Sequence, residues 1–240
     1  MNRLVKQWDI LMTKYPKERV FGMFVYGSQN YDLAHENSDL DVRALIFPTA
    51  KEMMRAAEPI SHTVETEYGS ISIVDIRLEV KRWFKQNPNS LEIFFTDYFI
   101  INNDYNDLWS NLLDLRERIA HYDEWRACAS IIGMMYDHKH AWEKTLNTKS
   151  LARIDHYSWM IREYLVNRAS YKSALQHFSP EHYHRIRLGE ELIDPEAAIE
   201  AAQEFRDKYA CEELDAEVFE MVYNIFYKIM TRYLRFEVLL

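Results

Sequence analysis

The sequence predicts an α+β protein, a small mixed β-sheet domain followed by an α-helical domain. Three observations lead there. Runs rich in β-branched and aromatic residues fall within the first hundred positions, while from about Tyr105 onward apolar residues recur every three or four positions. The chain of 240 residues has only five glycines and six prolines against 14% aromatic residues, which argues against disorder and against a turn-rich all-β fold.

The elements follow in order. Leu4, Trp8 and Leu11 or Met12 recur at helical spacing, so the chain opens on an amphipathic helix that ends before Pro16. VFGMFVY (20–26) and LDVRALIF (40–47) read as two core strands joined by a polar loop, with Pro48 as the exit of the second. HTVETEY and SISIVDIR form a second pair with Gly69-Ser70 as the expected turn, and RLEVKRWFKQ then switches to a helical period that Asn87-Pro88-Asn89 stops. The segments at 125–142 and 150–165 are helical. Ser179-Pro180-Glu181 and Asp194-Pro195-Glu196 each offer a capping side chain before a first-turn proline, so both mark helix starts. A last helix carries Val218, Val222, Ile225, Ile229 and Tyr233, with Leu214 at its head. The boundary between the two domains, 1–104 and 105–240, is expected near Asn102-Asn103-Asp104.

Charge and cysteine content narrow the function. With 29 Lys and Arg against 38 Asp and Glu, the formal charge is −9, and the surface as a whole repels phosphate backbones unless a local basic patch overrides it. Two distant cysteines, Cys128 and Cys211, remove zinc knuckles and disulfide scaffolds from consideration. Apolar runs are far shorter than the roughly 18 residues a membrane span needs, and the N-terminus carries charges where a signal peptide is apolar. A reduced, cytoplasmic protein without a membrane partner is the expectation.

The informative stretch is FVYGSQNYDLAHENSDLDVRALIF. On an extended segment side chains two apart share a face, so Asp39, Asp41 and Arg43 lie together while Leu40, Val42 and Ala44 enter the core. Two like charges about 7 Å apart repel, and a divalent cation reverses the sign of that energy. Magnesium suits such hard oxygen ligands. A third carboxylate would complete a two-ion site, for which Asp75, an acid between apolar neighbours in Ile73-Val74-Asp75-Ile76, is the candidate; a helix-capping role ahead of RLEVKRW is the structural alternative. Gly27 and Ser28 offer a phosphate handle, because glycine permits close backbone approach and a serine hydroxyl donates.

Gly-Ser, a spacer, and then Asp-x-Asp resembles the signature of the DNA polymerase beta-like nucleotidyltransferase superfamily. YGSQNYDLAHENSDLDVRALIFP is similar, more narrowly, to the predicted bacterial and phage nucleotidyltransferases whose motif reads Gly-Ser, Tyr, Leu-Ala, Ser-Asp-x-Asp-Val-Arg, and KRWFKQNPNSLEIFF (81–95) continues the resemblance. Gln29 and Asp32 depart from that pattern, where the family has arginine and glycine.

The resemblance implies a palm-like catalytic domain over 1–104 that transfers a nucleoside monophosphate from a nucleoside triphosphate to an acceptor, with release of pyrophosphate. It implies two Mg²⁺ ions, replaceable by Mn²⁺, on Asp39, Asp41 and Asp75, and nucleotide contacts from Gly27, Ser28, Ser38 and Arg43. Arg43 pairs with a phosphate or orients the aspartates; the residues leave both open. The acceptor is open among an RNA end, a protein and a small molecule.

Two other functions remain. One is a nucleotide-binding or interaction module without turnover. The other is a HEPN-like ribonuclease in the helical half, for which Arg116 and His121 supply an Arg-x4-His spacing that arises easily by chance. The Asp137–His140 run reads as a solvated helix face, and the aromatics Trp125, Tyr136, Trp142, Tyr157 and Trp159 as core packing before base stacking.

Overall fold

In a computed structural model that describes residues 2–31, 33, 38–176, 178–211 and 213–237, the chain is mixed α/β. Five strands, β1 (Val20–Val25), β2 (Val42–Ile46), β3 (Ser61–Thr66), β4 (Gly69–Asp75) and β5 (Phe99–Ile101), form one mixed sheet in the order β3-β4-β2-β1-β5. β2 and β4 are parallel; the other neighbours are antiparallel. The first half also holds helices α1 (Asn2–Lys14), α2 (Ala50–Met54), α3 (Ile76–Phe84) and α4 (Pro88–Leu91). The second half is built from α5 (Asn106–Asp114), α6 (Arg116–Ala120), α7 (Glu124–Thr145), α8 (Thr148–Leu165), α9 (Tyr171–Gln176), α10 (Pro180–Leu188), α11 (Pro195–Tyr209) and α12 (Ala216–Glu237).

β1 and β2 are buried along their whole length because both faces of the sheet are covered, which is why they read as continuous apolar runs. One face, with Met23, Val25, Val42, Ala44, Ile71 and Ile73, packs on Leu4 and Leu11 of α1. The other, with Phe21, Phe24, Leu45 and Val74, merges with the core of the helical half. A register irregularity between Val20 and Gly22 shifts the alternation of β1, so that Val20 and Met23, three apart, share the α1 face while Phe21 and Phe24 share the other.

Several expectations are refined. The β3–β4 turn is Glu67-Tyr68, and Gly69 instead opens β4 with φ of 131°. A Cβ on Gly69 would stand 2.4 Å from the Leu40 carbonyl oxygen, so glycine here lets β4 press against the Asp39–Asp41 segment. Asn87 does stop the helix before it, but its side chain also accepts from Ser90 N–H and starts α4 with Pro88 in its first turn. Ser179 and Asp194 cap α10 and α11 as expected. Leu214 lies ahead of α12 and is exposed. Asp32 lies outside the described residues. No described helix is long and apolar enough to cross a membrane.

Candidate active site

The antiparallel β1–β2 pair brings the end of the first strand and the start of the second together at one end of the sheet's central strands. Tyr26 N–H donates to the Asp41 carbonyl at 3.1 Å, so the Gly27–Ser28 turn begins one residue from the strand position facing Asp41. Gly27 has φ of 81°, and a Cβ there would meet nothing within 4 Å. Conformation, not crowding, requires this glycine, and the space before the turn is open.

Residues 38–41 precede β2 in an extended segment held from both sides. Arg3 of α1 donates to the Ser38 carbonyl, Gln7 to the Leu40 carbonyl at 2.7 Å, and Leu40 N–H donates to Tyr68 O at 2.8 Å. Leu40 packs on the α1 face. Asp39 is exposed, and Asp41, half-buried, accepts from the Ser70 hydroxyl at 2.6 Å through one oxygen. The tyrosine next to them, Tyr26, has its hydroxyl pushed up chiefly by burial, with Ser70 as a hydrogen-bond partner that lowers it.

Asp75 stands apart from this pair. The parallel register sets Val42 opposite Ile71 and Ile46 opposite Asp75, so Asp75 lies five residues, roughly 16 Å, along the strand from the position beside Asp41. Its carboxylate accepts from Arg77 N–H at 2.8 Å, capping α3, and pairs with the Arg77 guanidinium at 2.7 Å. The capping alternative describes this residue, and the expected three-carboxylate cluster does not form from it. Among the described residues no group of three His, Cys, Asp or Glu side chains is arranged to hold a metal ion.

Arg43 departs from its expectation as well. Its guanidinium is buried, pairs with Glu79 at 2.9 Å, donates to Asn89 O at 2.8 Å and to Ser90 Oγ at 2.9 Å, and lies over the Tyr26 ring. It bonds neither aspartate. What it does is tie β2 to α3 and to the Asn87–Ser90 segment.

Two buried acids that hold this region together are not singled out by the sequence. Glu92, fully buried, accepts from Gly27 N–H at 2.6 Å, Asn30 Nδ2 at 2.8 Å and the Tyr31 hydroxyl at 2.7 Å. Burial pushes its carboxyl up, against the downward pull of these three donors. The Gly27 N–H is therefore spent on Glu92, which leaves the half-buried Ser28 hydroxyl as the polar handle of the turn. Glu79 plays the matching part for Arg43. Glu79 stands between Leu78 and Val80 in α3 and Glu92 between Leu91 and Ile93, and an acid amid apolar residues was the available signal; the partners, 36 and 61 to 65 positions away, were not readable.

In the helical half, Arg116 is exposed and lines a cavity of about 500 Å³ with Phe94, Phe95 and Phe99, whereas His121 stacks on Tyr164 and lies 3.3 Å from Glu124. His121 does not line that cavity. Lys139 pairs with Glu196 and Glu143, and His140 with Glu143, as on a solvated helix face.

No family model and no curated protein matches this sequence. Among solved structures, a nucleotidyltransferase-like protein from Exiguobacterium sibiricum is similar to it with a TM-score of 0.31 and 12% identity, over 85% of this chain and 72% of that one.

Proposed function

We propose that the chain transfers a nucleoside monophosphate from a nucleoside triphosphate to an acceptor hydroxyl, with the chemistry at the Asp39–Asp41 end of the sheet. The observation that carries this reading is the 3.1 Å hydrogen bond from Tyr26 N–H to Asp41 O, which joins the Gly-Ser turn to the acidic segment. The Gly-Ser turn, with open space at Gly27, and the acidic segment thus lie side by side.

Asp39 and Asp41 fit a divalent cation. They lie two apart just ahead of β2, Asp39 is exposed, and the bonds from Ser70 occupy only one oxygen of Asp41. Magnesium keeps several waters and takes one or two protein carboxylates plus phosphate oxygens, so this pair suffices, and Asp75 is left out of the set. When bound, the ion neutralises phosphate charge and stabilises the leaving pyrophosphate. The chain's own side chains supply the rest. The Ser28 hydroxyl donates to a phosphate oxygen, Gly27 keeps the approach clear, Glu92 holds the turn, and the Arg43–Glu79 pair fixes the strand that carries the aspartates.

The test offers each α-labelled nucleoside triphosphate with Mg²⁺ and mixed acceptors. Label transfer that falls about a hundredfold or more in Asp39→Asn and Asp41→Asn, but survives in Asp75→Asn, supports the reading. Nucleotide binding without turnover under every condition makes the chain a binding module. RNA cleavage that survives those changes but is lost in His121→Ala makes it a ribonuclease.

A further inference from the structure

A second polar feature includes Asn87, in the same segment that Arg43 binds through Asn89 and Ser90. A groove of about 440 Å³ between the end of α3, the start of α4 and the first turns of α7 is lined by Arg82, Lys85, Asn87, Arg126 and Ser130. Three of these five residues are cationic and none is acidic, on a chain whose formal charge is −9.

The cations are presented from fixed positions. Arg82 is held from behind by buried Glu79 at 3.6 Å and by the Ser61 hydroxyl at 3.2 Å, and Arg126 by buried Asp123 at 3.2 Å. The Lys85 ammonium has no ion-pair partner among the described residues. Arg126 and Ser130, four apart on α7, share one face. Asn87 Oδ1 accepts from Ser90 N–H at 3.2 Å, which leaves its amide NH₂ to donate into the groove.

Each arginine is paired on one side only and its guanidinium stays partly exposed, so with the unpaired Lys85 the opening favours an anion with more than one charged group. A groove of about 440 Å³ is larger than one phosphate needs. No apolar side chain lines it, whereas a peptide would call for an apolar anchor pocket. Guanidinium forks match phosphate oxygens. We propose that this groove binds the phosphodiester backbone of a single-stranded nucleic acid. The inference rests on the transfer reading for its meaning, since it makes that strand the acceptor.

Fluorescence anisotropy with labelled 12-residue oligoribonucleotides and oligodeoxyribonucleotides tests it, on the full chain and on the Lys85→Ala/Arg126→Ala double variant. Both positions are exposed, and a thermal melt checks that the fold is kept. Three phosphate contacts predict a slope of log K against log salt of about −2 in the parent chain, and about −0.7 in the variant, where one contact remains. Binding at low salt should weaken about tenfold or more in the variant, while nucleoside triphosphate binding, measured separately, stays unchanged. Equal binding by parent and variant, or no binding by the parent at low salt, overturns the proposal. So does displacement of the oligomer by inorganic pyrophosphate or by polyglutamate at matched charge, which would mark a small-anion or acidic-peptide site. Failure of the transfer reading shows elsewhere, as absent turnover with oligomer binding retained.

Discussion

Glu92 illustrates how a buried carboxylate sets a local conformation. Three donors, from Gly27, Asn30 and Tyr31, converge on it; without it the buried Tyr31 hydroxyl and the half-buried Gly27 N–H lose their acceptor, while Asn30 keeps its bond to Val25 O. Glu92→Ala is therefore expected to destabilise the protein by about 3–5 kcal/mol in chemical unfolding. Glu92→Gln keeps an acceptor oxygen for the turn and should cost only about 1 kcal/mol, because the Tyr31 hydroxyl can rotate to accept from the new amide. Equal losses in the two variants would mean that the carboxylate does not organise the turn by accepting hydrogen bonds. Asp39, Asp41, Gly27 and Ser28, the residues of the proposed site, can be singled out in the sequence because they lie within fifteen positions and the two acids follow the two-residue period of an extended chain. Asp75 misled for a physical reason: an acid ahead of a helix is both a ligand type and a capping type, and Arg77, two positions on, decides for the cap.

Helix ends were the most readable elements, since Ser-Pro-Glu and Asp-Pro-Glu carry the cap and the first-turn proline in adjacent residues. β5 is not legible because it is three residues long and its partner among the described residues, β1, lies more than seventy positions earlier. The start of α7 shows how helices are tied to one another in the second half. Burial tends to raise the Glu124 carboxyl, but bonds from His121, from Cys211 N–H and from the Arg168 guanidinium outweigh it and hold it down at about 2. A depressed carboxyl stabilises the fold above its unfolded value near 4.5, and that stabilisation is lost as pH falls toward 2. With solvent screening at the exposed Arg168 side of the pair, the loss is about 1–2 kcal/mol. Glu124→Gln should flatten the pH dependence of the unfolding free energy between pH 4.5 and 2; an unchanged slope would assign the acid sensitivity to other groups.

Across the whole molecule, one core runs through the boundary expected at residue 104. Phe21 and Phe24 of β1 contact Trp109 of α5, Phe94 stacks on the same indole, and Phe47 after β2 stacks on Tyr233 of α12 at 4.3 Å. The sequence signals a change of period at this point, from two to nearly four, but a change of period marks a change of element type and says nothing about whether the elements share a core. Tryptophan fluorescence and far-ultraviolet dichroism should therefore report the same unfolding midpoint. Separate midpoints would mean that the sheet and the helices unfold as independent units.

The acidic segment that this core holds in place is tested most directly by electron paramagnetic resonance of Mn²⁺ titrated into the protein with a nucleoside triphosphate present. Nucleotide-dependent Mn²⁺ binding should be strong in the parent chain, weakened about tenfold or more by Asp41→Asn, and unaffected by Asp75→Asn. Binding that ignores Asp41→Asn, or that Asp75→Asn abolishes in a protein that remains folded, would contradict the two-carboxylate site at the start of β2.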